Sequence, residues 1–321
     1  MLSFAPTLKL ALHPQHLASF QKRENFAPVS VEISPSHLCN AKCPSCWYVV
    51  GDQKPAHSRD YLNFALLLSV LDDFADMGVE ALTWTGGGDP SIYPQINQAI
   101  EAAAHHGLKQ AMFTNGYVSI ERPDLLRWIR LTITDRLTVP KCASEYAQKT
   151  RVGVNVNLAP WNESHLLRLA QEAKAAGCHY FQVRPALADR LEDQKPILLP
   201  KWLKELETPD FEVVLTDYKW DDYTKPHPYE TCHGHQITPF IWHNGDVGTC
   251  AYQFGKPEFT FGNLSRETFK EIWNGERRRD MLARGVKVKP SCQVCCKLHE
   301  TNKVLASLRG EFEMVRDRSF V

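Results

Sequence analysis

Cys39, Cys43 and Cys46 fall within eight residues, Cys39-Asn40-Ala41-Lys42-Cys43-Pro44-Ser45-Cys46, and nothing else in the chain constrains its folding so tightly. Three thiolates at C-x3-C-x2-C spacing close around one soft metal centre, and thiolate ligands select iron–sulfur clusters, zinc or copper(I). Three is one short of the four cysteines that fully ligate a [4Fe–4S] cluster, which leaves one iron open to a small molecule. Half of a zinc-binding knuckle is the competing reading. Either way the loop needs a rigid carrier, and the apolar run Val29–Ile33 before it reads as a strand.

The other cysteines divide into sets. Cys232, Cys250, Cys292, Cys295 and Cys296 form a second group far along the chain, whereas Cys142 and Cys178 stand alone and read as small buried hydrophobes. No charged leader precedes an apolar segment, and no run of 18 apolar residues occurs, so the expectation is a soluble, cytoplasmic chain with no membrane contact. In a reducing compartment clustered cysteines favour metal ligation over disulfides. The formal net charge is zero, so no global field points to nucleic acid or an anionic surface. At 321 residues with 43% hydrophobic content there is room for one large core and an appendage.

From Val29 short apolar runs alternate with helix-length amphipathic segments. Strands are expected at Val29–Ile33, Ala81–Thr85, Gln110–Phe113, Leu131–Thr134, Gly153–Leu158 and Tyr180–Pro185. Helices are expected at Tyr61–Met77, Ile96–His106, Pro123–Ile129, Ala143–Lys149 and His165–Ala176. Six strand–helix repeats predict right-handed crossovers and a parallel α/β sheet, too few for a closed eight-stranded barrel. The cysteine loop, Gly86-Gly87-Gly88-Asp89-Pro90 and Thr114-Asn115-Gly116 all fall at carboxyl ends of strands, where such folds gather functional groups. Residues 1–28 read as an extension lying over the barrel. Residues 191–230 read as a bridge, with a possible helix at Lys201–Leu206 and a strand at Phe211–Thr216. From 231 to the end a smaller α+β module begins. It holds a hairpin around His243-Asn244-Gly245-Asp246 and a helix over Glu267–Met281.

The cysteine run with Gly87-Gly88-Asp89-Pro90 downstream resembles the signature of the radical SAM superfamily, although Lys42 and Ser45 depart from its commonest spelling. The resemblance implies a partial (β/α)6 TIM-like barrel over 29–190. It also implies a [4Fe–4S] cluster on Cys39, Cys43 and Cys46 whose open iron is chelated by S-adenosylmethionine. Gly87, Gly88 and Asp89 match the family's Gly-Gly-Glu-Pro element, which holds the methionine amino group, with Asp in place of Glu. Polar pairs on shared strand faces, Asn155 with Asn157 and Gln182 with Arg184, are candidate lumen contacts to that cofactor or to substrate. Trp47 and Tyr48 are a candidate aromatic wall beside the cluster.

Cys232, Cys250 and the C-x2-C pair Cys292 and Cys295 resemble the smaller "twitch" form of the SPASM-type extension, which holds one auxiliary [4Fe–4S] cluster. Phe261-Gly262-Asn263-Leu264 and Phe269-Lys270-Glu271-Ile272-Trp273-Asn274 are similar to the stretch between those cysteines. Cys296 is the alternative last ligand, and a zinc site with the same ligands is the other reading of the set.

The resemblance implies reductive cleavage of S-adenosylmethionine to a 5′-deoxyadenosyl radical that takes hydrogen from an unactivated C–H bond. The auxiliary cluster would then accept an electron, and a flavodoxin or ferredoxin would serve as reductase. With no leader-binding domain in view, the substrate expectation is a small molecule: a sugar, aminocyclitol or nucleotide. A peptide or a nucleic-acid base is the alternative, the latter encouraged by the basic stretch from Arg277 to Arg318, which includes Arg277-Arg278-Arg279. A non-catalytic zinc module is the alternative of another class. No catalytic acid or base is identified; Asp217 and Asp246 are available carboxylates.

Overall fold

The protein is described by a computed structural model over residues 6–44, 46, 59–186, 198–216, 225–289, 292 and 296–313. Seven strands run parallel in chain order: β1 (Ser30–Ile33), β2 (Ala81–Trp84), β3 (Lys109–Thr114), β4 (Trp128–Thr132), β5 (Arg151–Leu158), β6 (Tyr180–Pro185) and β7 (Glu212–Leu215). Their alternation assigns each face. Val31, Ile33, Leu82, Trp84, Met112, Ile129, Leu131, Val152, Val154, Val156, Phe181, Val183 and Val213 join the apolar core under the helices. The opposite face carries Glu32, Thr83, Arg130, Thr132, Asn155, Asn157, Gln182 and Arg184. A sheet with one apolar and one polar face closes over helices on the outside and leaves a polar interior, which suits an open barrel with a ligand inside.

The helices follow from local chemistry. Asn63 caps the helix Phe64–Met77 by accepting from the Ala65 and Leu66 amides at 2.9 and 3.2 Å, and Gly78 ends it in the left-handed conformation. Its stripe Leu67, Val70, Leu71 and Phe74 is fully buried. Ile96–His105 and Leu166–Ala175 cover the sheet in the same way. Two expectations change between β3 and β4. Pro123–Leu125 makes only one 3₁₀ turn, and the strand begins at Trp128, inside the segment expected to be helical. The apolar pair Ile129 and Leu131 is spaced for a strand face, and β4 finds hydrogen-bonding partners on both sides.

The second module continues the same sheet. Phe240–Ile241 (β9) pairs parallel with β1, then Asp246–Gly248 (β10) and Thr260–Asn263 (β11) add antiparallel, giving ten strands in the order β11-β10-β9-β1-β2-β3-β4-β5-β6-β7. Between β7 and β9, Thr231–Cys232 (β8) pairs antiparallel with Val286–Lys287 (β12) in a separate ribbon. The helix expected over Glu267–Met281 is two, Phe269–Asn274 and Glu276–Arg284, broken at Gly275, whose backbone is extended. Thr268 and Glu271 form a capping box at the first. At the N-terminus Pro6–Ala11 and Pro14–Lys22 are helical. Leu10 and Phe20 cluster with Ile237 and with Leu305 of the C-terminal helix His299–Leu308, while His13 meets Glu80 of the barrel at 3.2 Å. Among the described residues no helix is long and apolar enough to cross a membrane.

Candidate cofactor and cluster sites

β1 ends at Ile33 and delivers the chain straight into the cysteine loop, which is knitted to the glycine turn after β2. The Gly88 amide donates to the Ser36 carbonyl at 3.1 Å, the Asp89 amide to Leu38 at 2.8 Å, and the Gly87 amide to Ser34 Oγ at 3.1 Å. A Cβ at Gly88 would stand 2.2 Å from the Leu38 oxygen, so only glycine allows this approach. The two motifs found separately in the sequence are therefore one unit, in which Gly88 makes room for the cysteine loop's own backbone. Cys39, Cys43 and Cys46 are each half-buried, and the Cys46 amide donates to the Cys43 carbonyl at 3.1 Å. Burial pushes the Cys39 thiol up to about 11 and that of Cys43 up to about 12. Asn115 Nδ2, from the turn after β3, lies 3.7 Å from Cys39 Sγ and 2.7 Å from Asn40 Oδ1. Trp47 and Tyr48 lie outside the described residues.

Asp89 is 4% exposed and its carboxylate is fully engaged. Oδ1 accepts from the Ser91 amide at 2.9 Å, Ser91 Oγ at 2.6 Å and Thr114 Oγ1 at 2.8 Å, and Oδ2 accepts from the Asn115 amide at 2.6 Å. Burial pushes its carboxyl above the usual range, opposed by those hydrogen bonds. The side chain thus caps the 3₁₀ turn Pro90–Ile92 and ties it to the end of β3. Thr114 and Asn115 belong to the turn expected at the end of a strand, whereas Ser34 carried no signal in the sequence.

Inside the barrel Asn155, Gln182 and Thr132 share one register layer, with Asn157 and Arg184 in the next. Arg184 Nε donates to Asn155 Oδ1 at 2.9 Å and Nη2 to Asn157 Oδ1 at 3.3 Å, so the two expected polar pairs meet. One layer deeper, Arg130 donates to Gln182 at 2.9 Å and stacks 3.9 Å over Phe113.

Far along the chain, Cys232, Cys250, Cys292 and Cys296 line one cavity with Thr249, Gln253, Tyr229 and Asn302. Cys295 lies outside the described residues. Burial raises all of the first three thiols, Cys232 to about 11. Gln253 Nε2 donates to Cys292 Sγ at 3.1 Å and Asn302 Nδ2 to Cys232 Sγ at 3.7 Å. Among the described residues no three His, Cys, Asp or Glu side chains gather on a single-ion site.

Two contacts join this region to the first. His37, two residues before Cys39, stacks on His243 with ring centroids 4.4 Å apart, and Phe254, four after Cys250, lies against both. Lys297 pairs with Glu32, which faces the barrel interior from β1.

A family model for the SPASM iron–sulfur cluster-binding domain matches residues 232–296, bounds that fall on two cysteines of the cavity. Over 100 residues the chain is 29% identical to the dTDP-4-amino-4,6-dideoxy-D-glucose ammonia-lyase of Streptomyces venezuelae, 31% of this chain and 20% of that one. Over 109 residues it is 31% identical to the GTP 3′,8-cyclase of Actinobacillus pleuropneumoniae, 33% of this chain and 31% of that one. These matches span a fifth to a third of the length of those relatives. The fold is similar to that of Streptococcus suis SuiB bound to S-adenosylmethionine, with TM-score 0.60, 16% identity, 85% of this chain and 72% of that one. Residues 232–296 thus match an iron–sulfur cluster-binding family, and the fold as a whole is similar to that of SuiB. The groups that the sequence resemblance implies for these two sites are S-adenosylmethionine and two [4Fe–4S] clusters.

The residues fit these groups. Thiols raised by burial resist ionisation on their own, and a cationic iron centre supplies the charge that stabilises them as thiolates. Among the residues lining the second cavity, Thr249 Oγ1 is buried with no hydrogen-bond partner among the described residues, a donor left for an occupant of the cavity. At the first site Cys39, Cys43 and Cys46 are three half-buried free thiols on one loop, the number of protein ligands that a cluster with an open iron takes.

Proposed function

We propose that this chain is a radical SAM enzyme acting on a small molecule: a sugar, an aminocyclitol or a nucleotide. The observation that carries the reading is the cysteine loop pinned through Gly88 to the glycine turn at the carboxyl edge of the barrel, directly above a polar lumen. The cluster with S-adenosylmethionine supplies one chemistry, reductive formation of a 5′-deoxyadenosyl radical that takes hydrogen from an unreactive C–H bond. The protein's own part is placement. Cys39, Cys43 and Cys46 hold the metal centre. The backbone of Gly87 and Gly88 lies beside the cysteine loop, where it can meet a ligand amine. Asp89 acts through the turn it holds and not through direct contact. Arg184, fixed by Asn155 and Asn157, leaves Nη1 without a partner among the described residues, in reach of an anionic group in the lumen. Cys232, Cys250 and Cys292 hold the auxiliary cluster, and Cys296 on the cavity wall is the fourth ligand that its position supports. A closed auxiliary site of this kind suits electron transfer, which favours net oxidation of the substrate.

The named reactions of the two curated relatives, on a dTDP-linked amino sugar and on GTP, support a nucleotide-linked substrate. The arginine triplet that opens the basic stretch is partly used inside its own module, which favours the small-molecule reading over the nucleic-acid alternative. Arg277 donates to the Thr260 and Pro257 carbonyls, Arg279 to that of Asn274, and Arg278 is 1% exposed with its guanidinium 3.6 Å over Trp273. Arg278 is thus a packing residue, while Arg277 and Arg279 brace neighbouring backbone from the surface. Asp246 is likewise engaged with Asn244 and Asn263 in the hairpin, and Asp217 lies outside the described residues.

Release of 5′-deoxyadenosine by reduced, cluster-loaded protein tests the substrate class. Nucleotide sugars and nucleotides should raise it well above the uncoupled rate. Stimulation by peptides alone would overturn the small-molecule reading.

A further inference from the structure

Asn302 is 1% exposed, and its orientation is forced. Its Oδ1 accepts both the His233 and the Gly234 amides, each at 2.7 Å. An amide carbonyl so committed cannot exchange places with its NH2 without facing two N–H groups with two more. The Nδ2 end is therefore locked toward Cys232 Sγ. Gln253, also 1% exposed, follows Cys250 by three residues in the 3₁₀ turn Ala251–Gln253 and directs Nε2 at Cys292 Sγ. The reverse orientation would set its carbonyl against a thiolate. Two ligand sulfurs of one cavity thus each receive an N–H from a buried side-chain amide. At the first site the comparable donor, Asn115, divides its NH2 between Cys39 Sγ and Asn40 Oδ1.

The geometry points to Asn302 and Gln253 as positioning residues that set the reduction potential of the auxiliary cluster, raising it by hydrogen bonding to its cysteine sulfurs. A donor to a ligand sulfur stabilises the more negative, reduced form of a one-electron couple more than the oxidised form. Removing the donor moves the midpoint to more negative potential, making the centre a poorer electron acceptor. This rests on the reading of the cavity as an iron–sulfur site, and iron content reports on that reading separately.

The test uses the full chain with Cys39, Cys43 and Cys46 replaced by Ala, so that only the auxiliary centre contributes to the EPR signal. Gln253→Met keeps side-chain length and neutrality and loses the N–H. Its cluster should form with unchanged iron content and titrate at a more negative midpoint. In protein labelled with 15N in the side-chain amides of Asn and Gln, the reduced cluster should show two amide couplings, and Gln253→Met should abolish one. An intact cluster with an unmoved midpoint, or with no side-chain amide coupling, would overturn the assignment. If no iron is bound by the parent protein, the cluster reading itself falls. Should Asn302 variants fail to fold, the labelled parent and Gln253→Met still decide.

Discussion

Gly88 is the residue on which the first site turns, because its missing Cβ is what lets the turn after β2 touch the loop before Cys39. Gly88→Ala would push a methyl group into the Leu38 carbonyl, and backbone on both sides leaves little room to yield. The expected result is loss of the first cluster's iron and of S-adenosylmethionine cleavage, with the auxiliary cluster retained. Gly78→Ala is the control: it strains a left-handed helix end with open space around it and should cost about 1 kcal/mol of stability without altering iron content. A Gly88→Ala protein with both clusters and full cleavage would contradict this account of the turn. The adjacent pair Cys295 and Cys296 gives a second residue-level prediction. Cys296→Ser should lower auxiliary iron and perturb the spectrum of that centre, while Cys295→Ser leaves both unchanged; the opposite outcome would return the ligand to the C-x2-C spacing.

At the scale of elements, the sequence made the barrel legible wherever apolar periodicity was local. The helix Phe64–Met77 and the strand Tyr180–Pro185 lie close to where spacing places them, since cap, stripe and stop agree. It was least legible where pairing is non-local. Nothing near Phe240 announces that it will lie parallel to β1, more than 200 positions earlier, or that Glu212–Leu215 will become a seventh parallel strand. β4 was misplaced because Pro123 and the leucines after it match a helix start as well as a turn. Among site residues, the cysteines and glycines carried motif-level signals. Asn302 and Gln253 are ordinary amides in sequence, marked only by burial.

The Lys297–Glu32 pair belongs to this scale too, because it ties the segment after Cys296 to β1. Lys297→Met or Glu32→Gln should each cost about 2–3 kcal/mol, below the range for fully enclosed pairs since Lys297 keeps 24% of its side-chain surface exposed. The double variant should lose less than the sum in denaturant unfolding. Strict additivity would show that the pair does not couple the two parts.

For the whole molecule, the ten-stranded sheet places the auxiliary module beside β1, the strand that also carries the first cysteine loop. The stacked His37 and His243 and the Lys297–Glu32 pair span that junction, so the two cysteine sites sit on one continuous frame. The central claim is that Cys39, Cys43 and Cys46 hold the centre that cleaves S-adenosylmethionine. The direct measurement is 5′-deoxyadenosine formation by anaerobically reconstituted, reduced protein, set against the variant with all three cysteines changed to Ala, with iron counted in both. The account predicts formation in the parent, none in the variant, and about half the iron retained on the auxiliary site. Undiminished 5′-deoxyadenosine from the variant, or a parent that binds zinc and never cleaves the cofactor, would contradict it.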